Sequence, residues 1–199
     1  MRIIAGKHRG RVLKTFKGTE IRPTSDRARQ AFFNIFADKM SGASFLDGFA
    51  GTGAMGIEAI SRGAKHVVFT DLKKASIDLI NQNLAMIKEN ATVMVCDLLS
   101  YLKTTPLKFD FIFLDCNKAA YATLYPLLKD LLNEGGVIFA DNILFRGYVS
   151  GEKESPKEHR TLVKKIDDYN RLVSVDKDMI TSFFDVGDGI AVSVKKRNI

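Results

Sequence analysis

From residue 44 onward the chain alternates between short apolar runs and longer amphipathic stretches. Runs of strand length fall at 44–47, 66–70, 92–95, 109–114 and 137–140, and the stretches between them, near 54–62, 73–88, 98–103 and 120–132, suit helices. Strands that are apolar almost throughout belong to sheets covered on both faces, and strict alternation with helices builds parallel βαβ units. Past Gly151 a charged helix near 156–172 leads to two strands near 179–184 and 189–195, which suit an antiparallel hairpin at the sheet edge. The pattern predicts an α/β, Rossmann-like, doubly wound and mostly parallel seven-stranded sheet. No repeat, low-complexity run or linker interrupts it, so residues 1–199 read as a single domain.

The first 40 residues follow another pattern. Residues 2–13, with Gly6 and Gly10, suit a short hairpin, and Pro23-Thr24-Ser25-Asp26 suits a turn and N-cap. Behind it Ala28, Ala31, Phe32, Ile35 and Phe36 recur at helical spacing. Charge now changes the picture. Residues 1–30 carry nine basic side chains against two acids, while the remaining 169 carry 21 of each, so the whole excess of +7 sits on this arm. A segment of one sign attracts polyanions, and Arg2, Lys7, Arg9, Arg11, Arg22 and Arg27 are its candidate phosphate contacts. The longest apolar runs are too short to span a bilayer, and no apolar signal region follows Met1. Cys96 and Cys116, with His8, His66 and His159, form neither a disulfide framework nor a zinc spacing. A cytoplasmic, reduced, membrane-free protein is expected.

Candidate chemistry gathers at the ends of the apolar runs. The first ends in Asp47-Gly48-Phe49-Ala50-Gly51-Thr52-Gly53-Ala54, where Gly48, Gly51 and Gly53 let the backbone turn sharply and approach a ligand at a helix N-terminus. The second ends at Asp71, twenty positions after Gly51, suited to ribose hydroxyls; the third leads to Asp97, placed for an adenine edge. Asp47 would repel a phosphate and suits an ammonium group, which favours S-adenosylmethionine over a dinucleotide.

Two resemblances follow from longer stretches. Arg2-Ile3-Ile4-Ala5-Gly6-Lys7, Arg9-Gly10-Arg11, Arg22-Pro23-Thr24-Ser25-Asp26-Arg27, the run from Leu46 to Gly56, and Glu58-Ala59-Ile60-Ser61-Arg62-Gly63-Ala64 resemble the bacterial small-subunit ribosomal RNA guanine-N2 methyltransferase family. This likeness covers residues 1 to about 114. It implies a class I S-adenosylmethionine-dependent methyltransferase whose basic arm (residues 1–40) holds RNA and whose cofactor half (41–114) binds through Asp47, Gly51, Gly53, Asp71 and Asp97. That family carries an (Asp/Asn)-Pro-Pro-Tyr segment after its fourth strand, where this chain has Asp115-Cys116-Asn117-Lys118.

From Asp115 onward (115–199) the chain resembles the cation-dependent O-methyltransferases, most closely a bacterial tRNA wobble-hydroxyuridine branch. The matching residues are Asp115, Lys118 and Tyr121, the run from Gly135 to Gly147, and Gly187-Asp188-Gly189-Ile190-Ala191. This second likeness implies a divalent cation such as Mg²⁺ on Asp115, Asp141 and Asn142, with Lys118 taking the acceptor's proton. Two carboxylates and an amide oxygen make a hard oxygen site of the kind Mg²⁺ prefers. A hybrid of the two families is one reading of the junction. The functional expectation is methyl transfer to a hydroxyl of RNA (ribosomal or transfer) held by a divalent cation. Guanine-N2 methylation of ribosomal RNA is the alternative, and a cofactor-binding scaffold with little catalysis is the third.

Overall fold

The structure is a computed structural model that describes residues 1–16 and 26–197, with the backbone alone for Asp26, Arg27 and Ala28. The expected turn at Pro23-Thr24-Ser25, Lys17, Arg22 and the side chain of Arg27 lie outside the described residues. After two short helices, α1 (Asp26–Ile35) and α2 (Ala37–Met40), the chain runs β1 (Ser44–Asp47), α3 (Ala54–Ser61), β2 (His66–Asp71), α4 (Lys74–Ile87), β3 (Thr92–Val95), α5 (Leu98–Thr104) and β4 (Phe109–Leu114). It continues as α6 (Tyr121–Asp130), β5 (Leu132–Asp141), α7 (Arg160–Ser174), β6 (Met179–Phe184) and β7 (Ile190–Lys195). The sheet has the order β3-β2-β1-β4-β5-β7-β6. The first five strands are parallel, and β7 pairs antiparallel with both β5 and β6. This is the Rossmann-like, doubly wound and mostly parallel architecture expected from the alternation.

Successive strand residues point to opposite faces, and both faces are covered. On one side Phe45, Phe111, Phe113 and Phe139 meet Phe32, Phe33 and Phe36 of the N-terminal segment; Phe32 lies 4.7 Å from Phe139, edge to face. On the other side Leu46, Ile112 and Ile138 meet Tyr121, Tyr125 and Leu128 of α6 and Ile166 and Tyr169 of α7. Gly56 explains how closely α3 lies on the sheet, because a Cβ there would sit 2.2 Å from the Phe69 ring.

Three details differ from the sequence expectation. β5 begins at Leu132, five residues early, because Leu132 pairs with Phe109 across an irregularity in the β4 register. The helix expected from 156 starts at Arg160, after a 3₁₀ turn at Lys157–His159. The N-terminal hairpin reduces to one isolated bridge, Arg2 with Val12, flanked by bonds such as Ile3 N–H to the Arg11 carbonyl at 3.0 Å.

That arm is no loose tail. Ile3 and Leu13 are 1% and 3% exposed within the phenylalanine-rich core. The Glu58 carboxylate accepts from the Ile4 and Ala5 N–H groups at 2.8 and 3.0 Å and from Arg62 Nε at 2.8 Å. Ser61 takes the His8 N–H on its hydroxyl and the Lys7 N–H on its carbonyl, and Asn83 bonds both the N–H and the carbonyl of Lys14. Arg29, counted above among the arm's charges, is fully buried and donates to the Arg2 carbonyl at 2.8 Å. No helix among the described residues is long and apolar enough to cross a membrane.

Candidate active site

Parallel pairing of β3, β2, β1, β4 and β5 brings their carboxyl ends to one edge, where Asp71, Asp47, Asp115 and Asp141 stand on or just past neighbouring strands. Ligands of doubly wound sheets bind at this edge. Asp47 closes β1 with 1% exposure. Its Oδ2 accepts the Gly56 N–H at 3.0 Å, which fixes the first turn of α3, while Oδ1 is buried without a partner. Burial, with Asp115 and Asp71 nearby, pushes the Asp47 carboxyl up to about 7. A buried carboxylate oxygen without a donor calls for one. An ammonium group meets that need and a phosphate does not, so the cradle fits the amino acid end of S-adenosylmethionine.

The loop between β1 and α3 is held open by glycine geometry. Gly53 precedes α3 at φ 76° and Gly51 sits at φ 53°, both left-handed. Gly48 packs so that a Cβ would come 2.9 Å from Leu98. Asp71 reaches back across the loop and accepts the Gly51 N–H at 2.9 Å, while its other oxygen takes the Lys73 N–H at 2.8 Å. Asp71 therefore shapes the loop itself, beyond the ribose role expected of it. Asp97 is exposed and caps α5, accepting from the Ser100 N–H and hydroxyl at 3.0 and 3.1 Å.

The other half of the edge is built by β4, β5 and the turn before β7. Lys118 and Asp115 form an ion pair one turn apart, with both side chains largely covered. Burial first, then Asp115, pushes the Asp141 carboxyl up to about 6, so the two acids act on one another across the β4–β5 ends. The buried Tyr121 hydroxyl lies 3.0 Å from the Leu114 carbonyl and 2.8 Å from that of Asp141, tying both strand ends to α6. Asn142 follows at φ 58°, its N–H bonded to Asp141 Oδ1 at 2.7 Å. The turn Gly187-Asp188-Gly189 comes under this loop: the Ile143 and Leu144 N–H groups donate to the Gly189 and Asp188 carbonyls, and Arg146 N–H donates to the Asp188 carboxylate. Asp115, Lys118, Asp141 and Asn142 are thus assembled at one place. Among the described residues, no group of three or more His, Cys, Asp or Glu is placed to hold a metal ion. Cys116 is no nucleophile, since burial pushes its thiol up to about 12.

Two features escaped the sequence reading. Tyr121 looked like one more motif position rather than the clamp between two strand ends. Glu58 looked like family text, although a lone acid in the apolar helix Ala-Met-Gly-Ile-Glu-Ala-Ile-Ser was the visible signal of a buried partner. Of the arm candidates, Arg2, Lys7, Arg9 and Arg11 are exposed. Lys7 pairs with Glu89 at 2.8 Å, and Arg2 and Arg11 each donate to a carbonyl at 3.1 Å, of Gly10 and Met86 respectively.

A Rossmann-like sheet with a glycine loop and a carboxylate cradle at its carboxyl edge defines an S-adenosylmethionine-dependent methyltransferase, and similarity to known proteins supports that class. The chain belongs to the family described as Conserved hypothetical protein 95, whose model matches residues 1–166. It is 35% identical over 173 residues to the Ribosomal RNA small subunit methyltransferase D of Haemophilus influenzae, covering 83% of this chain and 87% of the relative. It is 31% identical over 134 residues to a caffeoyl-CoA O-methyltransferase of Populus kitakamiensis, covering 66% of this chain and 54% of the relative. Among solved structures, the Escherichia coli protein yhhF superposes with a TM-score of 0.76 at 25% identity over 98% of both chains. An O-methyltransferase from Bacillus cereus, solved with S-adenosylhomocysteine, shares the fold with a TM-score of 0.73 at 19% identity over 87% of this chain and 83% of its own.

Proposed function

We propose that this methyltransferase acts in the cytoplasm on small-subunit ribosomal RNA and that its acceptor is an exocyclic guanine amine held at Asp115. The observation that carries the reading is the docked arm: exposed Arg2, Lys7, Arg9 and Arg11 are fixed by Glu58 and Ser61 to the helix that also shapes the cofactor loop. The Haemophilus influenzae relative's name supports the substrate class. We read the acceptor segment as a departure within one family rather than a splice, because the family match runs past Leu114 to residue 166.

In this reading Asp47 and the Gly51–Gly53 backbone hold the cofactor's amino acid end, Asp71 its ribose and Asp97 its adenine. The cofactor supplies a methyl group on a sulfonium. Lys118 holds one Asp115 oxygen, which leaves the other to accept an N–H of the base amine and to orient its lone pair. The family's Pro-Pro-Tyr is absent, so any stacking on the base must come from other residues.

A specific observation favours a second reading. Burial first, and then the Asp115 carboxylate, raises the proton affinity of Asp141 across the strand ends, with Asn142 adjoining and Lys118 paired to Asp115. A divalent cation held by Asp115, Asp141 and Asn142 would supply positive charge that lowers the pKa of an acceptor hydroxyl, and Lys118 would take the proton.

One experiment separates the two. A small-subunit RNA fragment that folds in monovalent salt is incubated with methyl-labelled cofactor, with Mg²⁺ or with EDTA, and its nucleosides are resolved by mass spectrometry. Methylated guanine base in both conditions supports the first reading. Methyl on a hydroxyl that disappears with EDTA replaces it by the second, and cofactor binding with no transfer to any RNA overturns both.

A further inference from the structure

Between Asn142 and Gly147 the backbone turns left-handed four times: Asn142 has φ 58°, Phe145 45°, Arg146 62° and Gly147 80°. Two left-handed residues in a row that both carry long side chains are strained, and such strain persists where the surroundings impose it, above all at ligand sites. Here the turn 187–189 imposes it. Asp188 accepts the Arg146 N–H on its carboxylate and the Leu144 N–H on its carbonyl, the latter at 2.9 Å. A Cβ on Gly189 would stand 2.3 Å from Leu144, so the loop lies directly on that turn. The bend gathers three rings. Phe145 lies 5.8 Å from Tyr148 and 5.4 Å from His159, steeply inclined to both, while Tyr148 and His159 stack at 6.0 Å. All three rings are partly exposed, and the exposed Arg146 guanidinium lies 5.9 Å from the Phe145 centroid.

Two connections set this trio beside the acceptor position. Asp188, which holds the loop, is near enough to Asp141 to raise its proton affinity. His159 leads directly into α7, and α7 packs against the 3₁₀ turn Lys118–Ala120 that follows Asp115. Rings in that position suit a base. Enzymes that modify a base take it out of its stack and hold it against aromatic or apolar side chains, and unstacked RNA bases lie on Phe, Tyr and His. The Pro-Pro-Tyr of the guanine-N2 family, with its aromatic ring, is replaced here by Cys116-Asn117-Lys118. We propose that Phe145, Tyr148 and His159 form the stacking surface for the nucleobase of the acceptor nucleotide, which rests on the reading of this chain as an RNA methyltransferase. The ring lost from one strand end is thereby supplied by the loop after the next. Phe145 also packs on the core beneath α6 and α7, so Tyr148 is the ring to change.

The chain has no tryptophan, so Tyr148→Trp adds one fluorophore at this surface and keeps a ring there. The variant, saturated with S-adenosylhomocysteine, is titrated with the small-subunit RNA fragment used above. A second titration uses the same fragment made abasic at the nucleotide that the wild type methylates, with occupancy followed by anisotropy of end-labelled RNA. The intact fragment should quench the indole, and the abasic one should quench it far less at equal occupancy. In turnover Tyr148→Ala should raise the KM for the fragment roughly 5- to 150-fold, the alanine-substitution range for one stacked base. Tyr148→Phe should restore it, with melting temperature and S-adenosylhomocysteine affinity unchanged in both variants. Equal quenching by the abasic fragment, bound RNA without quenching, or an unchanged KM in Tyr148→Ala overturns the proposal. A fragment that even the wild type leaves unmethylated defeats the underlying reading and this proposal with it, an outcome told apart because the wild type itself is silent.

Discussion

Asp47 is a buried acid whose protonation is linked to two measurable properties. Its carboxyl is raised to about 7 in the folded chain from an ordinary value of 3.8. A group raised on folding contributes stability that is complete below its unfolded value and is lost as pH rises through the folded one. The window is therefore about pH 4 to 7, and the full loss is roughly 4 kcal/mol. Asp141, raised to about 6, acts in the same direction. We expect the cofactor-free protein to melt at higher temperature at pH 5.5 than at pH 8, and Asp47→Asn to remove much of that difference. Cofactor affinity should run the opposite way, because an ammonium ligand needs the ionised carboxylate. Calorimetry with S-adenosylhomocysteine should show tighter binding as pH rises from 6 to 8, and affinity independent of pH in that range would remove Asp47 from the cradle. Asp71→Ala frees the Gly51 N–H and should weaken the same ligand by about 1.5–3 kcal/mol, the range of charge-assisted bonds. Tyr121→Phe leaves two strand-end carbonyls without their donor and should cost about 1–3 kcal/mol in denaturant titration.

At the scale of elements, α3 carries two duties on eight residues. Its N-terminus is set by Asp47 and Gly53, and its C-terminal half holds the arm through Glu58 and Ser61. Glu58→Ala strands two backbone N–H groups and the Arg62 guanidinium, and breaking a buried ion pair on one side costs about 3–5 kcal/mol. Faster hydrogen exchange at Ile4 and Ala5 should accompany the lower midpoint; unchanged exchange would show that the arm docks by other means. RNA contact by the arm is tested separately by Arg9→Ala with Arg11→Ala, both exposed. If each neutralises a phosphate, the salt dependence of RNA affinity should fall by about 1.4–1.8 in slope. The strands and the terminal antiparallel hairpin were legible because period and apolar runs encode them. The docking of the arm was not, because its bonds join backbone groups to side chains 53 and 54 positions away, and no local pattern records them.

For the whole molecule, the doubly wound, mostly parallel seven-stranded sheet and its carboxyl edge followed from the alternation of runs, while the strand order came from the structure. The positions of Asp47, Asp71, Asp115 and Asp141 followed with it, since each lies on or just past a strand end. Their electrostatics did not follow. Sequence spacing brings acids to an edge, but only the surrounding packing decides which is desolvated, as Asp47 is, and which caps an exposed helix, as Asp97 does. The nine arm cations also read as one set until packing turned Arg29 inward.

The docked arm has a consequence for how the chain is made. Synthesis releases the N-terminus first, yet the surface that receives it lies on Glu58, Ser61, Asn83 and Glu89. Until the residues that build their core have been made, Ile3 and Leu13 have none to enter, and the exposed cations of the nascent segment stand beside ribosomal RNA, the class of polyanion proposed for them. Docking the arm therefore joins residues 4–14 to partners 53 to 81 positions further along the chain. Distant contacts of this kind slow folding. Refolding followed by two probes, one in the arm and one at the sheet, should find the arm arriving in the slower phase.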